Sequence, residues 1–215
     1  MNEHIPEAVK AVIFDYDDTL VGTHRVIWNL HKHIARTYYG IELTDLDIKA
    51  YWGRPVHELA RHYYRTEDID TAVNRMLLHL DDFPKEKLPH TEPTLRHLKL
   101  ASKLIGIVSA TTRPILDGDC VHTGIPLDIM DYIQTAEDTK FHKPDARVFN
   151  PMLKWAARRG ITASEVLYIG DGLQDLKAAG NAGFGFLGVT TGLVTSEEFS
   201  KYGARSIAGL LELIK

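Results

Sequence analysis

Between Val9 and Leu20 the chain changes abruptly from apolar to acidic. The first half, Val-Lys-Ala-Val-Ile-Phe, is rich in β-branched residues and predicts a strand buried on both faces of a parallel sheet. The second half, Asp-Tyr-Asp-Asp-Thr-Leu, puts Asp15, Asp17 and Asp18 within four positions. Anions delivered together to one strand end repel each other unless a cation compensates, so the pattern suggests a metal site. An acidic turn is the plain alternative, because Asp is common in turns.

From Val21 to about Leu88 the pattern turns helical. Ile27, Leu30, Ile34 and Tyr38 recur at helical spacing, and Gly40 supplies a stop. Thr44-x-x-Asp47 is a capping signal, and Ala72, Val73, Met76, Leu77, Leu80 and Phe83 predict one face of a further helix. From Thr91 onward strands and helices alternate, which predicts a parallel sheet with helices on both faces. Strands are expected at 104–109, 132–135, 166–169 and 184–189. Thr195-x-x-Glu198 is a capping box, and Ile207, Leu210, Leu211 and Ile214 predict a final amphipathic helix. The expected architecture is a doubly wound α/β core, residues 1–20 and 89–215, with a helical domain, residues 21–88, inserted after the first strand.

Composition narrows the function classes. The 215 residues, 44% hydrophobic and 25% charged, describe an ordinary globular chain. A net charge of −4 gives no overall attraction to nucleic acid or anionic membranes, so neither is expected as a partner. No stretch approaches the ~18 apolar residues of a membrane span. The start of the chain lacks a secretory pattern, and Cys120 is the only cysteine, so a cytoplasmic location is expected. Cys120 reads as a packed small hydrophobe.

Three further fragments fall at the carboxyl ends of expected strands, where open α/β sheets bind ligands. Ser109-Ala110-Thr111 offers a hydroxyl and backbone amides, donors suited to the oxygens of a phosphoryl group. Lys143-Pro144 precedes a helix, with Pro restricting the backbone beside the ammonium. Gly170-Asp171-Gly172-Leu-Gln-Asp175 opens a helix with two acids one turn apart. Together with Asp15 and Asp17 these acids make an oxygen-ligand set suited to Mg²⁺. Two other signals fail on geometry. His57 and His62 are five residues apart and point ~140° apart on a helix, so they do not form a zinc pair. The glycines 180, 183 and 185 have the wrong order for a dinucleotide loop. The remaining histidines, His31 and His33 among them, read as surface or partly packed groups.

Asp15-x-Asp17-x-Thr19-Leu20, followed in order by Ser109, Lys143-Pro144 and Asp171 with Asp175, resembles the motif series of the haloacid dehalogenase superfamily. Asp18 stands where many members have Gly. The resemblance implies a Mg²⁺-dependent phosphatase in which Asp15 is the nucleophile, forming an aspartyl-phosphate, and Asp17 the general acid and base. Asp15, the Asp17 backbone carbonyl and Asp171 would hold the metal, with Asp175 in support. Ser109, Ala110 and Lys143 would hold the phosphoryl group. The helical insertion corresponds to the family's cap, with Tyr51-Trp-Gly-Arg-Pro55 forming a turn that brings Arg54 to the leaving group. A guanidinium there favours an acidic or polyhydroxylated substrate. The expected substrate is a small phosphorylated metabolite and the expected activity resembles phosphoglycolate phosphatase. A β-phosphoglucomutase-type mutase is the alternative, and a non-catalytic binding module on the same fold is a third.

Overall fold

The computed structural model describes residues 3–52, 54 and 56–214, the side chain of residue 56 excepted. The turn expected at Gly53 and Pro55 lies outside them. The chain forms two compact units, one holding the residues up to Gly22 and from Glu86 onward, the other Thr23–Lys85. In chain order the elements are β1 (Ala11–Phe14), β2 (Val21–Gly22), α1 (His24–Tyr39), α2 (Asp45–Lys49), α3 (Val56–Tyr64), α4 (Ile69–Leu78) and β3 (Glu86–Lys87). There follow α5 (Thr91–Leu100), β4 (Leu104–Val108), α6 (Arg113–Thr123), β5 (Tyr132–Gln134), α7 (Asn150–Ala157), β6 (Val166–Gly170), α8 (Leu173–Asn181), β7 (Gly185–Val189), α9 (Ser196–Lys201) and β8 (Ser206–Ile207).

Six strands form a parallel sheet in the order β5-β4-β1-β6-β7-β8, which is the expected α/β class. Every residue of β1 is fully buried because the strand is covered on both faces. Val12 and Phe14 pack on one side with Leu95, Leu98, Ile105 and Ile107. Ala11 and Ile13 pack on the other with Phe149, Met152 and Tyr168. β4 and β6 flank β1, and the chain winds outward from them in opposite directions, so the strand order reverses at the carboxyl end of β1. A crevice opens at such a reversal. Gly106 is required in β4 by close approach: a Cβ there would lie 2.8 Å from the Tyr132 carbonyl oxygen. Among the described residues no helix is long and apolar enough to cross a membrane.

The edges of the helical segment differ from the sequence reading. Val21–Gly22 pairs antiparallel with Glu86–Lys87, so the segment begins and ends in a two-stranded ribbon that belongs to the first unit. Within the second unit α1 ends at Gly40 in the left-handed region, φ 64°, and the Thr44–Asp47 capping box forms in full. α4 stops at Leu78, leaving Leu80 in a short 3-10 turn, and Leu77 is 59% exposed because the buried face passes through Ala72. The expected last helix is absent. Ile207 is buried by sheet pairing with Val189, and Leu210 and Leu213 reach the core from a four-residue 3-10 turn whose three-residue period aligns them.

His31 corrects the reading of the histidines. It is 1% exposed, its Nδ1 is 2.7 Å from the Tyr64 hydroxyl, and its ring meets Tyr63 edge-on at 4.9 Å. Burial pushes its pKa down to about 4. The unfolded chain binds this proton near pH 6.5, so stability is present above that pH and falls as pH drops toward 4, by up to about 3 kcal/mol. Urea midpoints measured at pH 7.5 and 5.0 should show this loss, and His31→Gln should reduce the difference. An unchanged pH dependence in the variant would show that His31 is not its source.

Candidate active site

The carboxyl ends of β1 and β6 bring four ionisable groups together. Asp15 follows β1 directly, and its amide donates to the Ile169 carbonyl at 2.8 Å, which ties the acid to the neighbouring strand. Lys143 Nζ donates to Asp15 Oδ1 at 2.8 Å and lies 2.6 Å from Asp175 Oδ1. The ammonium also sits 5.1 Å from the Tyr168 ring centre, and that ring is fixed by its hydroxyl donating to the Val108 carbonyl. Asp175 is on the first turn of α8, where its Oδ2 accepts from the Gly172 amide at 3.0 Å. Asp171, at the turn between β6 and α8, completes a set in which one carboxylate oxygen each of Asp15, Asp171 and Asp175 lies within 4.8 Å of the others.

Three carboxylates, Asp175 buried and Asp15 and Asp171 half-buried, are not balanced by one ammonium. Burial, reinforced by Asp175 and Asp17, raises the Asp15 pKa against the opposing effect of Lys143. Burial, Asp15, Asp175 and Asp18 raise Asp171 well above the carboxylate range. Burial alone would lower Lys143, but Asp15 and Asp175 outweigh it and hold the ammonium charged. The surplus of negative charge, offered by hard oxygen donors, fits a divalent cation such as Mg²⁺.

Asp17 is on the same loop but outside this set. Its Oδ2 accepts from the Thr111 hydroxyl at 2.6 Å, which links the loop after β1 to the loop after β4. Ser109 is 6% exposed; its Oγ accepts from the Thr111 amide at 2.9 Å, and Ala110 beside it is exposed. Asp18 explains the departure from Gly: its φ is 54°, in the left-handed region, which Asp tolerates better than most residues. Its carbonyl accepts from the Thr191 hydroxyl at 2.5 Å. Arg54 belongs to the second unit, where it is exposed, pairs with Glu58 at 3.3 Å and lies over the Tyr51 ring.

Thr111, Thr191 and Gly192 were not singled out as site residues by the sequence. A Cβ on Gly192 would run into the Asp171 carboxylate, so glycine is needed there for room. Thr191 and Gly192 lie just past β7, and the strand-end rule that selected Ser109 would have selected them too.

Residues 12–189 match the family of haloacid dehalogenase-like hydrolases. A Clostridium perfringens protein provisionally named pyrophosphatase PpaX is 31% identical over 183 residues, 84% of each chain. Pyrophosphatase PpaX of Bacillus velezensis is 27% identical over 197 residues, 90% of this chain and 89% of its own. Among solved structures, a Bacteroides fragilis protein provisionally named haloacid dehalogenase-like hydrolase is 30% identical with a TM-score of 0.78, over 95% of this chain and 99% of that one. With its motifs assembled at the switch point of a parallel sheet, this chain belongs to the haloacid dehalogenase-like hydrolase family.

Proposed function

We propose that the protein is a phosphatase that hydrolyses a small phosphorylated compound through a phosphoryl group carried on Asp15. The observation that carries this reading is Lys143 held between Asp15 and Asp175, which keeps a nucleophilic carboxylate and a cation side by side in a half-buried crevice. An Asp15 oxygen attacks phosphorus as the bond to the leaving oxygen breaks, and Asp17 supplies the proton that oxygen takes up. Asp17 then removes a proton from the water that attacks the acyl-phosphate, releasing phosphate and restoring Asp15. Lys143, the Ser109 hydroxyl and the Ala110 amide bind the non-transferring oxygens. Asp15 and Asp171, with the Asp17 backbone carbonyl, would hold Mg²⁺, and Asp175, whose oxygens meet Lys143 and the Gly172 amide, would support them. When bound, the ion offsets charge on the transferring group.

Asp15→Asn is expected to abolish turnover, and Asp17→Asn to slow it by about 10² to 10⁴, the usual worth of general acid-base catalysis. Phosphatase activity near the parent level in Asp15→Asn would refute the mechanism.

The metal reading has a check independent of activity. Because Asp15 and Asp171 resist ionisation in the fold, protons compete with a cation for them, so Mg²⁺ should raise the thermal midpoint at pH 8 and raise it less at pH 5. Gly192→Ala, which crowds Asp171, should shrink the increment at pH 8. A midpoint indifferent to Mg²⁺ at both pH values would count against the site.

The substrate reading has two branches. A carboxylate-bearing phosphomonoester such as phosphoglycolate is supported by Arg54, whose exposed pair with Glu58 is weak enough to be exchanged for a ligand. Pyrophosphate is supported by the names of the PpaX relatives. Comparing kcat/KM for the two compounds separates the branches. In the first, Arg54→Ala should lower kcat/KM for the carboxylate substrate and leave a generic aryl phosphate nearly unchanged. Equal effects on both would remove Arg54 as selector.

A further inference from the structure

We infer that Thr111 is a positioning residue for catalysis, the group that aims Asp17 at the leaving oxygen. This rests on the reading of Asp17 as general acid. Three observations converge on Thr111, and a fourth on its partner Ser109. Its hydroxyl donates to Asp17 Oδ2 at 2.6 Å across 94 residues of sequence. Its amide donates to Ser109 Oγ at 2.9 Å, two residues back. Its carbonyl accepts from the Ala136 amide at 3.1 Å, so the backbone that carries the hydroxyl is itself held by the segment after β5. Ser109, finally, is anchored to that strand, its amide donating to the Gln134 carbonyl at 3.0 Å.

The consequence is chemical. A threonine hydroxyl has a single proton to donate. With that proton on Oδ2, the oxygen of Asp17 that carries the transferable proton is Oδ1. In the first half-reaction the bond from Asp15 to phosphorus forms, the bond from phosphorus to the leaving oxygen breaks, and the Oδ1 proton passes to that oxygen. The carboxylate left on Asp17 keeps its hydrogen bond from Thr111 on Oδ2. In the second half-reaction Oδ1 takes a proton from the attacking water. The same side chain therefore serves the acid and the base forms without reorienting. Through its amide Thr111 also occupies an acceptor position of Ser109 Oγ, leaving the Ser109 proton available for donation to a phosphoryl oxygen.

Loss of aim at a general acid harms poor leaving groups most, because a good leaving group departs without a proton. The experiment compares an alkyl phosphate with p-nitrophenyl phosphate and reads the rapid-quench burst of released alcohol or phenol, which reports the first half-reaction alone. Thr111→Val, which keeps the shape and removes the donor, should slow the alkyl phosphate by up to about 10²-fold, the scale of a misplaced catalytic group, and the aryl phosphate by less than about threefold. Thr111→Ser should restore both. Equal losses on the two substrates, no loss on either, or failure of Thr111→Ser to restore the alkyl substrate would overturn the proposal. Asp17→Asn is run on the same pair. If it shows the leaving-group dependence and Thr111→Val does not, only the role of Thr111 falls; if Asp17→Asn slows both substrates equally, the acid assignment falls and the Thr111 proposal with it.

Discussion

The active crevice depends on one contact set, the ammonium of Lys143 between Asp15 and Asp175. Without it, the half-buried Asp15 at the end of β1 and the buried Asp175 on the first turn of α8 would face each other uncompensated, an arrangement that costs a fold several kcal/mol per buried charge. The lysine is not held by its own backbone alone. The turn that carries it leads into a 3-10 segment, Ala146–Phe149, whose Val148 and Phe149 are buried against the sheet and whose Val148 carbonyl accepts from Gln134 at 2.7 Å. Tyr168, from the centre of β6, presents its ring to the ammonium. The hydrophobic layer thus fixes the position of the cation, and the cation fixes the Asp15 carboxylate.

A site built this way works against stability and is kept by what surrounds it. Asp15 and Asp171 are both pushed toward protonation, so the folded chain without a metal carries an electrostatic cost that packing must offset. That packing is concentrated in β1, where all four residues are fully buried, and in the strands on either side of it. Placing the strained charges at the end of the best-buried strand is the arrangement in which neighbouring core offsets them most directly.

The loops at this edge are bound to one another as well as to the sheet. Thr111 ties the loop after β4 to Asp17, Thr191 ties the loop after β7 to the Asp18 carbonyl, and Gly192 leaves room for Asp171. The left-handed backbone at Asp18 belongs to the same scheme: the reversal it makes sends the chain into the ribbon Val21–Gly22 and turns the Asp18 carbonyl toward Thr191. Hydroxyl side chains beyond β4 and β7 do what a regular ladder cannot do past the sheet edge, holding irregular backbone in one conformation.

Local pattern made much of this legible. The apolar run ending in Asp15, the strand positions, the Thr44 and Thr195 capping boxes, and the glycine stop at Gly40 each follow from residues within one turn or a few strand positions of one another, so the sequence alone determined them. The placement of Asp15, Ser109 and Asp171 at the same sheet edge was legible for the same reason, since each follows or closes a predicted strand, whereas Lys143 was legible only as a residue just ahead of a helix. Other features were decided only by the tertiary structure. Ile207 is a strand residue because Val189 is beside it, although its spacing with Leu210, Leu211 and Ile214 also suits a helix. His31 is buried because α3 brings Tyr63 and Tyr64 against α1. Thr111 meets Asp17 across 94 residues, and Lys143 meets Asp15 across 128. Such contacts depend on strand order, and strand order is set by the burial of both sheet faces at once, a condition on the whole chain that no short window of sequence contains.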